Sequence, residues 1–252
     1  MKFIDLHNDA ITELSPKRFA KYIKKADKIG VEKIFISVWT TEMKDPLEQI
    51  RHYSKVIKDL DMRVELLLHI EDLWFINENN IEELISLAPY SVGLVWNDKN
   101  NLASGSYADG NLTELGAFIV KELVKNDIQI DLAHLNKSSF WDVINILKDE
   151  GKQPLCSHTC FEEIHPHPRN IDREQIQAIV DSGGLIGLTL VPEFLTDKKH
   201  ATVDDVKKHL DYFMQNFGDK NIAFGTDFFG TRDLSKGLKN YSQLKKFLRE
   251  HA

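Results

Sequence analysis

Eight short apolar runs, each followed by a stretch of helical periodicity, recur along the chain with a period of roughly thirty residues. That alternation restricts the fold more than any other feature, because parallel strands need a long crossover and a helix is the usual one. The strand-like runs are 2–9, 33–39, 63–71, 91–96, 129–134, 154–158, 185–190 and 221–227. Helices are expected over 16–29, 45–59, 81–87 and 114–126, then from Ser138 or Ser139 onward, over 172–181, from Thr202 to Phe217, and over 242–250. Local chemistry agrees: Gly30 and Gly183-Gly184 stop helices, Pro46 suits a first turn, and Thr113 and Thr202 are capping residues. Eight such units are the count of a (β/α)8 TIM barrel. A doubly wound sheet also holds eight strands, but no Gly-rich phosphate loop follows the first strand. No linker or low-complexity segment divides the 252 residues, so 1–252 reads as one domain.

Strands this apolar would bury their bodies and leave chemistry to their ends. His7 and Asp9 stand two apart on an extended run, so they face the same side. An imidazole and a carboxylate aimed at one point are metal ligands, although a polar strand end can also hold a His by accident. The other strand ends carry Glu71, Trp96, His134, His158 and Asp227. In barrel enzymes the active site lies at the C-terminal strand ends. Three imidazoles and three carboxylates at one mouth suit two metal ions with one bridging carboxylate. Without cations, carboxylates this close repel and shift their pKa values upward. A His and carboxylate set without thiolate points to zinc first, then manganese, iron or cobalt. One such His is best explained by a local hydrogen bond; five agreeing strand ends are not. Cys156 and Cys160 flank His158, but a strand Cys reads as core.

Composition excludes several partners. The chain is 42% hydrophobic and 28% charged with net charge -7, and it has no block of Lys or Arg. Neither nucleic acid nor an anionic membrane is expected as a partner. No apolar stretch is long enough to span a membrane, and the N-terminus lacks an apolar leader with a cleavage site. The expected location is the cytoplasm, with both thiols reduced.

Longer motifs then carry a resemblance. They are Asp5-Leu6-His7-Asn8-Asp9, Gly93-Leu94-Val95-Trp96-Asn97, Asn111-Leu112-Thr113-Glu114-Leu115-Gly116 and Asp131-Leu132-Ala133-His134. They continue with Ser157-His158-Thr159, Pro168-Arg169-Asn170-Ile171, Gly183-Gly184-Leu185-Ile186-Gly187 and Phe224-Gly225-Thr226-Asp227-Phe228. In this order, almost end to end, the chain resembles the membrane (renal-type) dipeptidases, peptidase family M19 of the amidohydrolase superfamily. The resemblance implies a TIM barrel holding two zinc ions. His7 and Asp9 would hold the first, Glu71 would bridge, and His134 and His158 would hold the second. A hydroxide between the ions would attack the peptide carbonyl of a dipeptide, L-L or L-D. Asp227 would take its proton and pass it to the leaving amine. Arg169 would pair with the free C-terminal carboxylate, and Trp96 and His134 would also face the substrate. A homodimer is the family expectation.

The chain departs from the family pattern in four places. Trp96 stands where the renal enzyme has an oxyanion-steadying His; its indole donates one hydrogen bond but is no acid. Asp72-Leu73-Trp74 after Glu71 implies a bulkier wall beside the bridge, with His69 on the same strand face as a supporting partner. Phe229 replaces a second Asp. The chain ends soon after the last helix, which implies a shortened version lacking part of the usual cover or dimer surface. His165 and His167 fall outside the family's metal positions and are expected at the rim or in solvent. Two alternatives share these features: a related amidohydrolase acting on another amide, a lactone or a phosphoester, and a catalytically weak binding module. Arg169 separates the first, since a lactone or phosphotriester needs no cation there.

Overall fold

Uninterrupted aliphatic and β-branched runs favour strands buried on both faces. The computed structural model describes residues 3–41 and 43–251. There the runs become β1 (Ile4–Asn8), β2 (Lys33–Trp39), β3 (Glu65–Glu71), β4 (Ser91–Gly93), β5 (Gln129–Asp131), β6 (Leu155–Thr159), β7 (Leu185–Leu188) and β8 (Ile222–Phe224). Each strand pairs in parallel with its sequence neighbour, and β8 closes on β1 at Phe224 and Asp5. The fold is the expected (β/α)8 TIM barrel. Lys2, included in the first expected strand, lies outside the described residues.

The helices are α1 (Ala10–Glu13), α2 (Pro16–Ile29), α3 (Pro46–Lys58), α4 (Ile81–Ser86), α5 (Glu114–Lys125), α6 (Lys137–Asp149), α7 (Arg173–Asp181), α8 (Pro192–Leu195), α9 (Val203–Phe217) and α10 (Tyr241–His251). Gly30 closes α2 in a left-handed conformation, φ 91°, its N–H donating to the Ala26 and Asp27 carbonyls. Thr113 Oγ1 accepts the Gly116 N–H at 2.9 Å, and Thr202 with Asp205 forms a capping box. Helix α6 starts at Lys137, ahead of the expected Ser138 or Ser139, and its cap is Asn136, whose Oδ1 accepts the Ser139 N–H at 2.8 Å. A cap must stand one residue before the helix, and both serines are already inside it. The single-turn helices α1 and α8 were not expected, because four residues are too few to show a 3.6 period.

Apolar residues outside the barrel wall pack under the helices; a second, smaller cluster of Ile4, Leu6, Phe35, Leu155 and Ala223 plugs the inside. On β3 the inward face reads Leu67, His69, Glu71, from plug to mouth. On β1 and β6 strict alternation fails. The register shifts between Asp5 and Asn8 and again between Cys156 and Thr159. Leu6 therefore joins the plug while the next residue, His7, reaches the mouth, and β6 does the same with Leu155, Ser157 and His158. Ordinary pleating would send Leu6 and His7 to opposite faces.

The shift at β6 pushes the Ser157 carbonyl against β7 and β8 at Gly187 and Gly225, where any Cβ would overlap its oxygen. A backbone carbonyl cannot rotate aside as a side chain can. Gly225→Ala is therefore expected to cost about 1–3 kcal/mol by overpacking and to displace His158. Thermal denaturation with chelator present measures this, and an unchanged midpoint would contradict it.

The wall beside Glu71 is not thickened by Asp72-Leu73-Trp74. Asp72 turns the backbone at φ 70°, Leu73 enters the core, and Trp74 donates its indole N–H to the Thr40 carbonyl at 3.1 Å on the surface. None of the three lines the cavity.

Candidate metal centre

Three strands stop short of the residues expected at their ends. β4 ends at Gly93, β5 at Asp131 and β8 at Phe224, so Trp96, His134 and Asp227 sit on turns beyond them. His134 and Asp227 adopt left-handed backbone, φ 70° and 58°. That conformation is uncommon for residues with a Cβ and gathers at functional sites, where the surroundings hold the strain. Here it bends two side chains inward over the mouth. Asp9 also lies past its strand, as the N-cap position of α1.

Glu71 stands in the middle. Its Oε1 lies 2.8 Å from His134 Nε2 and 3.8 Å from His158 Nε2, and its Oε2 lies 3.7 Å from His7 Nε2. His7 Nε2 is 3.3 Å from Asp9 Oδ2, and the His134 and His158 Nε2 atoms are 2.9 Å apart. Two sets present donor atoms all within 4.8 Å of one another: His7, Glu71 and His158; and His7, Asp9 and Asp227. The six residues expected from the strand ends thus converge on one place.

These side chains suit cations. His134 Nδ1 is 2.9 Å from Asn97 Oδ1, which only accepts, so that nitrogen carries the proton. Its Nε2 then presents a lone pair toward Glu71 Oε1 and His158 Nε2. A cation placed between that lone pair, Glu71 Oε1 and the neighbouring His158 Nε2 would be held by all three. Asp9 Oδ2 is buried and accepts no hydrogen bond.

Electrostatics fit the same picture. Burial, with Arg169 second, draws His134 down to about 4, and burial draws His158 well below the usual imidazole range, so both stay neutral. Burial alone would raise Glu71, but His7 and His134 outweigh it and bring the carboxyl down to about 2. Burial would lower His7, but Asp9 and Glu71 outweigh it and lift the imidazole to about 10. Asp227 is lifted to about 7, chiefly by burial, with Asp9 and Glu71 adding. Neutral His134 and His158 and an ionised Glu71 are in the forms that bind metal, whereas His7, held protonated by Asp9 and Glu71, must give up its proton to a cation before it can ligate.

Behind these side chains lies a hydrogen-bonded support. Buried Asp5 accepts from the Thr226 N–H (2.8 Å), Thr226 Oγ1 (2.7 Å) and Tyr241 on α10 (2.6 Å), which ties β1 to the turn bearing Asp227. Asn8 Nδ2 donates to Tyr22 on α2 at 2.9 Å. Asp131 accepts from the Ala133 and Ser157 N–H groups, joining the His134 and His158 turns. His69 is a support, as expected: its Nδ1 is 2.9 Å from Ser91 Oγ, its Nε2 3.5 Å from Asp131 Oδ2, and its ring meets His7 edge-on. Asp5, Asn97 and Asp131 carry no sequence signal beyond their place in the motifs around His7, Trp96 and His134.

The cluster of candidate ligands floors a cavity of about 280 Å³. That is the small end of ligand pockets, which run roughly 300–1,000 Å³. Its walls include Trp39, Trp96, Phe194, Phe229 and Arg169. Trp96 packs edge-to-face on Trp39, ring centroids 5.3 Å apart. Trp39, unmarked in the sequence, pairs in register with Glu71 and so shares its inward face. Phe229 is 37% exposed and packs on Tyr22. Arg169 is only 3% exposed; its Nη2 donates to the His158 carbonyl at 3.2 Å and its Nε has no partner. Among the described residues it makes no ion pair, and the guanidinium lies 5.3 Å above the Phe194 ring.

His165 is buried rather than solvent-facing, because its Nε2 donates to the Glu193 carbonyl at 3.1 Å. His167 sits near the rim, 4.7 Å from the Phe194 ring. Cys156 and Cys160 are buried core residues whose thiols burial pushes up.

Comparison with known proteins bears on the fold and the family. Dipeptidase AC, a metallo peptidase of family M19, superposes with a TM-score of 0.85 at 20% identity, covering 100% of this chain and 92% of that one. A metallo peptidase from Rhodobacter sphaeroides, liganded with a phosphinate mimic of the dipeptide L-Ala-D-Ala, superposes at 0.81 and 18% identity, covering 99% and 92%. At these identities the likeness establishes the fold. An uncharacterized protein in the pqqA 5' region of Klebsiella pneumoniae is 31% identical over 153 residues, 56% of this chain and 55% of that protein. Dipeptidase aclJ of Aspergillus oryzae is 27% identical over 143 residues, 56% of this chain and 33% of its own. The matches thus span about half the length of the first relative and a third of the second. The sequence model of the membrane dipeptidases matches residues 1–252, the whole chain, which therefore belongs to the membrane dipeptidase family, peptidase family M19.

Proposed function

We propose that this barrel is a binuclear zinc dipeptidase that hydrolyses L-L and L-D dipeptides with a free C-terminal carboxylate. One observation carries the proposal. A single cavity holds Glu71, with its two oxygens toward different imidazoles, and a buried Arg169 that has no carboxylate partner among the described residues. Family membership supports the reaction class. The dipeptide mimic bound by the Rhodobacter protein supports the L-D arm.

His7 and Asp9 would hold one ion, His134 and His158 the other, with Glu71 between. Bound there, two divalent cations supply a water of lowered pKa and polarise the peptide carbonyl. The chain's own residues do the rest. Asp227, raised toward neutrality by burial, accepts a proton at its carboxylate and returns it to the leaving amine. Arg169 takes the substrate's terminal carboxylate in a two-pronged contact, which fixes the scissile bond over the metal floor. Trp39 and Trp96, packed on each other in the cavity wall, give the substrate an apolar surface. To the same proposal belong a cytoplasmic location, small peptides as substrate, the homodimer that the family resemblance implies, and no nucleic acid or membrane as partner. Among the described residues no helix is long and apolar enough to cross a membrane.

Protein purified without chelator is expected to hold two ions per chain by elemental analysis and to cleave members of an L-L and L-D dipeptide panel. Chelation should abolish turnover, and added zinc should restore it. Two ions with no hydrolysis of any dipeptide would favour a binding module instead; fewer than two at full activity would end the binuclear assignment.

A further inference from the structure

Helix α8 is a single turn, so its last carbonyls find no partner within it. Two buried side chains from elsewhere satisfy them. Asn170 Nδ2 donates to the Phe194 carbonyl at 2.8 Å, and His209 Nε2, on α9, donates to the Leu195 carbonyl at 3.2 Å. The same Asn170 amide donates to the His165 carbonyl at 2.7 Å, and His209 Nδ1 accepts the Phe161 N–H at 3.2 Å. Both therefore tie α8 to the loop between β6 and α7, which carries Arg169. The side chain that α8 presents there is Phe194, the ring beneath the guanidinium.

An Arg buried without an anion keeps its orientation only if its surroundings hold it. Thr159 Oγ1 donates to the Arg169 carbonyl at 2.9 Å and fixes the backbone. The guanidinium itself has one hydrogen bond, through Nη2, and the Phe194 face. We propose that Asn170 is a positioning residue for substrate carboxylate recognition. It locks Phe194 beneath Arg169, so that the guanidinium meets a terminal carboxylate in a set orientation. Asn170 lies in the chain directly after Arg169, yet it acts through α8. Its clamp belongs to the carboxylate end of the cavity and leaves the metal floor alone. This inference rests on the carboxylate role proposed for Arg169.

The test compares a dipeptide with the same dipeptide carrying a C-terminal amide, using the metal-loaded enzyme. Asn170→Ala is expected to raise KM for the free acid about tenfold, the worth of a weakened hydrogen bond to a charged group. It should leave kcat for the acid within about twofold and both constants for the amide nearly unchanged. Phe194→Leu, which keeps an apolar side chain but removes the ring, should give the same split. If Asn170→Ala does not fold, Phe194→Leu decides alone. Unchanged KM for the acid in these variants would overturn the proposal. So would an equal loss on acid and amide, or a loss of bound metal, since either marks a general structural role. Arg169→Ala is run alongside. If it too leaves KM for the acid unchanged, the carboxylate reading of the site fails; if it raises KM while the two clamp variants do not, only the positioning role fails.

Discussion

Glu71→Gln is expected to lower kcat/KM for dipeptides by about a thousandfold or more and to leave at most one divalent ion per chain. The substitution keeps the shape of the side chain and removes its charge. Glu71 is the group placed between His7 on one side and His134 and His158 on the other. An amide presents one oxygen and one N–H₂, so it cannot offer an anionic oxygen to both sides. Neighbouring ligands keep some affinity for one ion, but two cations side by side lose the negative charge that screens them. The barrel should still fold, since the plug of Ile4, Leu6, Phe35, Leu155 and Ala223 lies below and is untouched. Elemental analysis with circular dichroism separates metal loss from unfolding. Two ions per chain with near-normal turnover would show that Glu71 does not bridge.

Arg169→Ala is expected to raise KM for dipeptides about a hundredfold while the bound metals stay in place. Charge-assisted hydrogen bonds are worth roughly 1.5–3 kcal/mol each, and a buried two-pronged contact uses two. Arg169→Lys should recover only part of the loss, because an ammonium lacks the planar fork. The guanidinium contacts the His158 carbonyl and not its ring, so removing it leaves the imidazole free to bind. Dipeptide kinetics with parallel metal analysis provide the measurement. Unchanged KM would remove the carboxylate role and return weight to a substrate without a terminal charge.

Much of the site was legible in the sequence because its residues terminate apolar runs. A run that ends in His-x-Asp, or in a lone Glu or His, advertises a strand end, and eight such runs imply a barrel that gathers those ends at one mouth. Trp39 was missed because a Trp closing an apolar run looks like core. The support residues Asp5, Asn97 and Asp131 were missed because their partners lie far away in the chain; Asp5 meets Thr226 and Tyr241. Trp74 was placed wrongly beside the bridge because the left-handed turn at Asp72, which swings it to the surface, has no signature in a non-Gly residue.

The sequence by itself determined the strand–helix alternation, the barrel, and the identity of the six candidate ligands that reach its mouth. These depend on local preference and periodicity, which a linear string records. Only the tertiary structure decided how those residues point. The register shifts that bring Leu6 and His7 to the same interior, the left-handed turns at His134 and Asp227, and the glycines that admit the Ser157 carbonyl depend on closing the barrel. So does the state of Arg169, buried over Phe194 and without an ion pair among the described residues. Each is a local distortion held by contacts with distant segments, and such contacts exist only once the chain has closed.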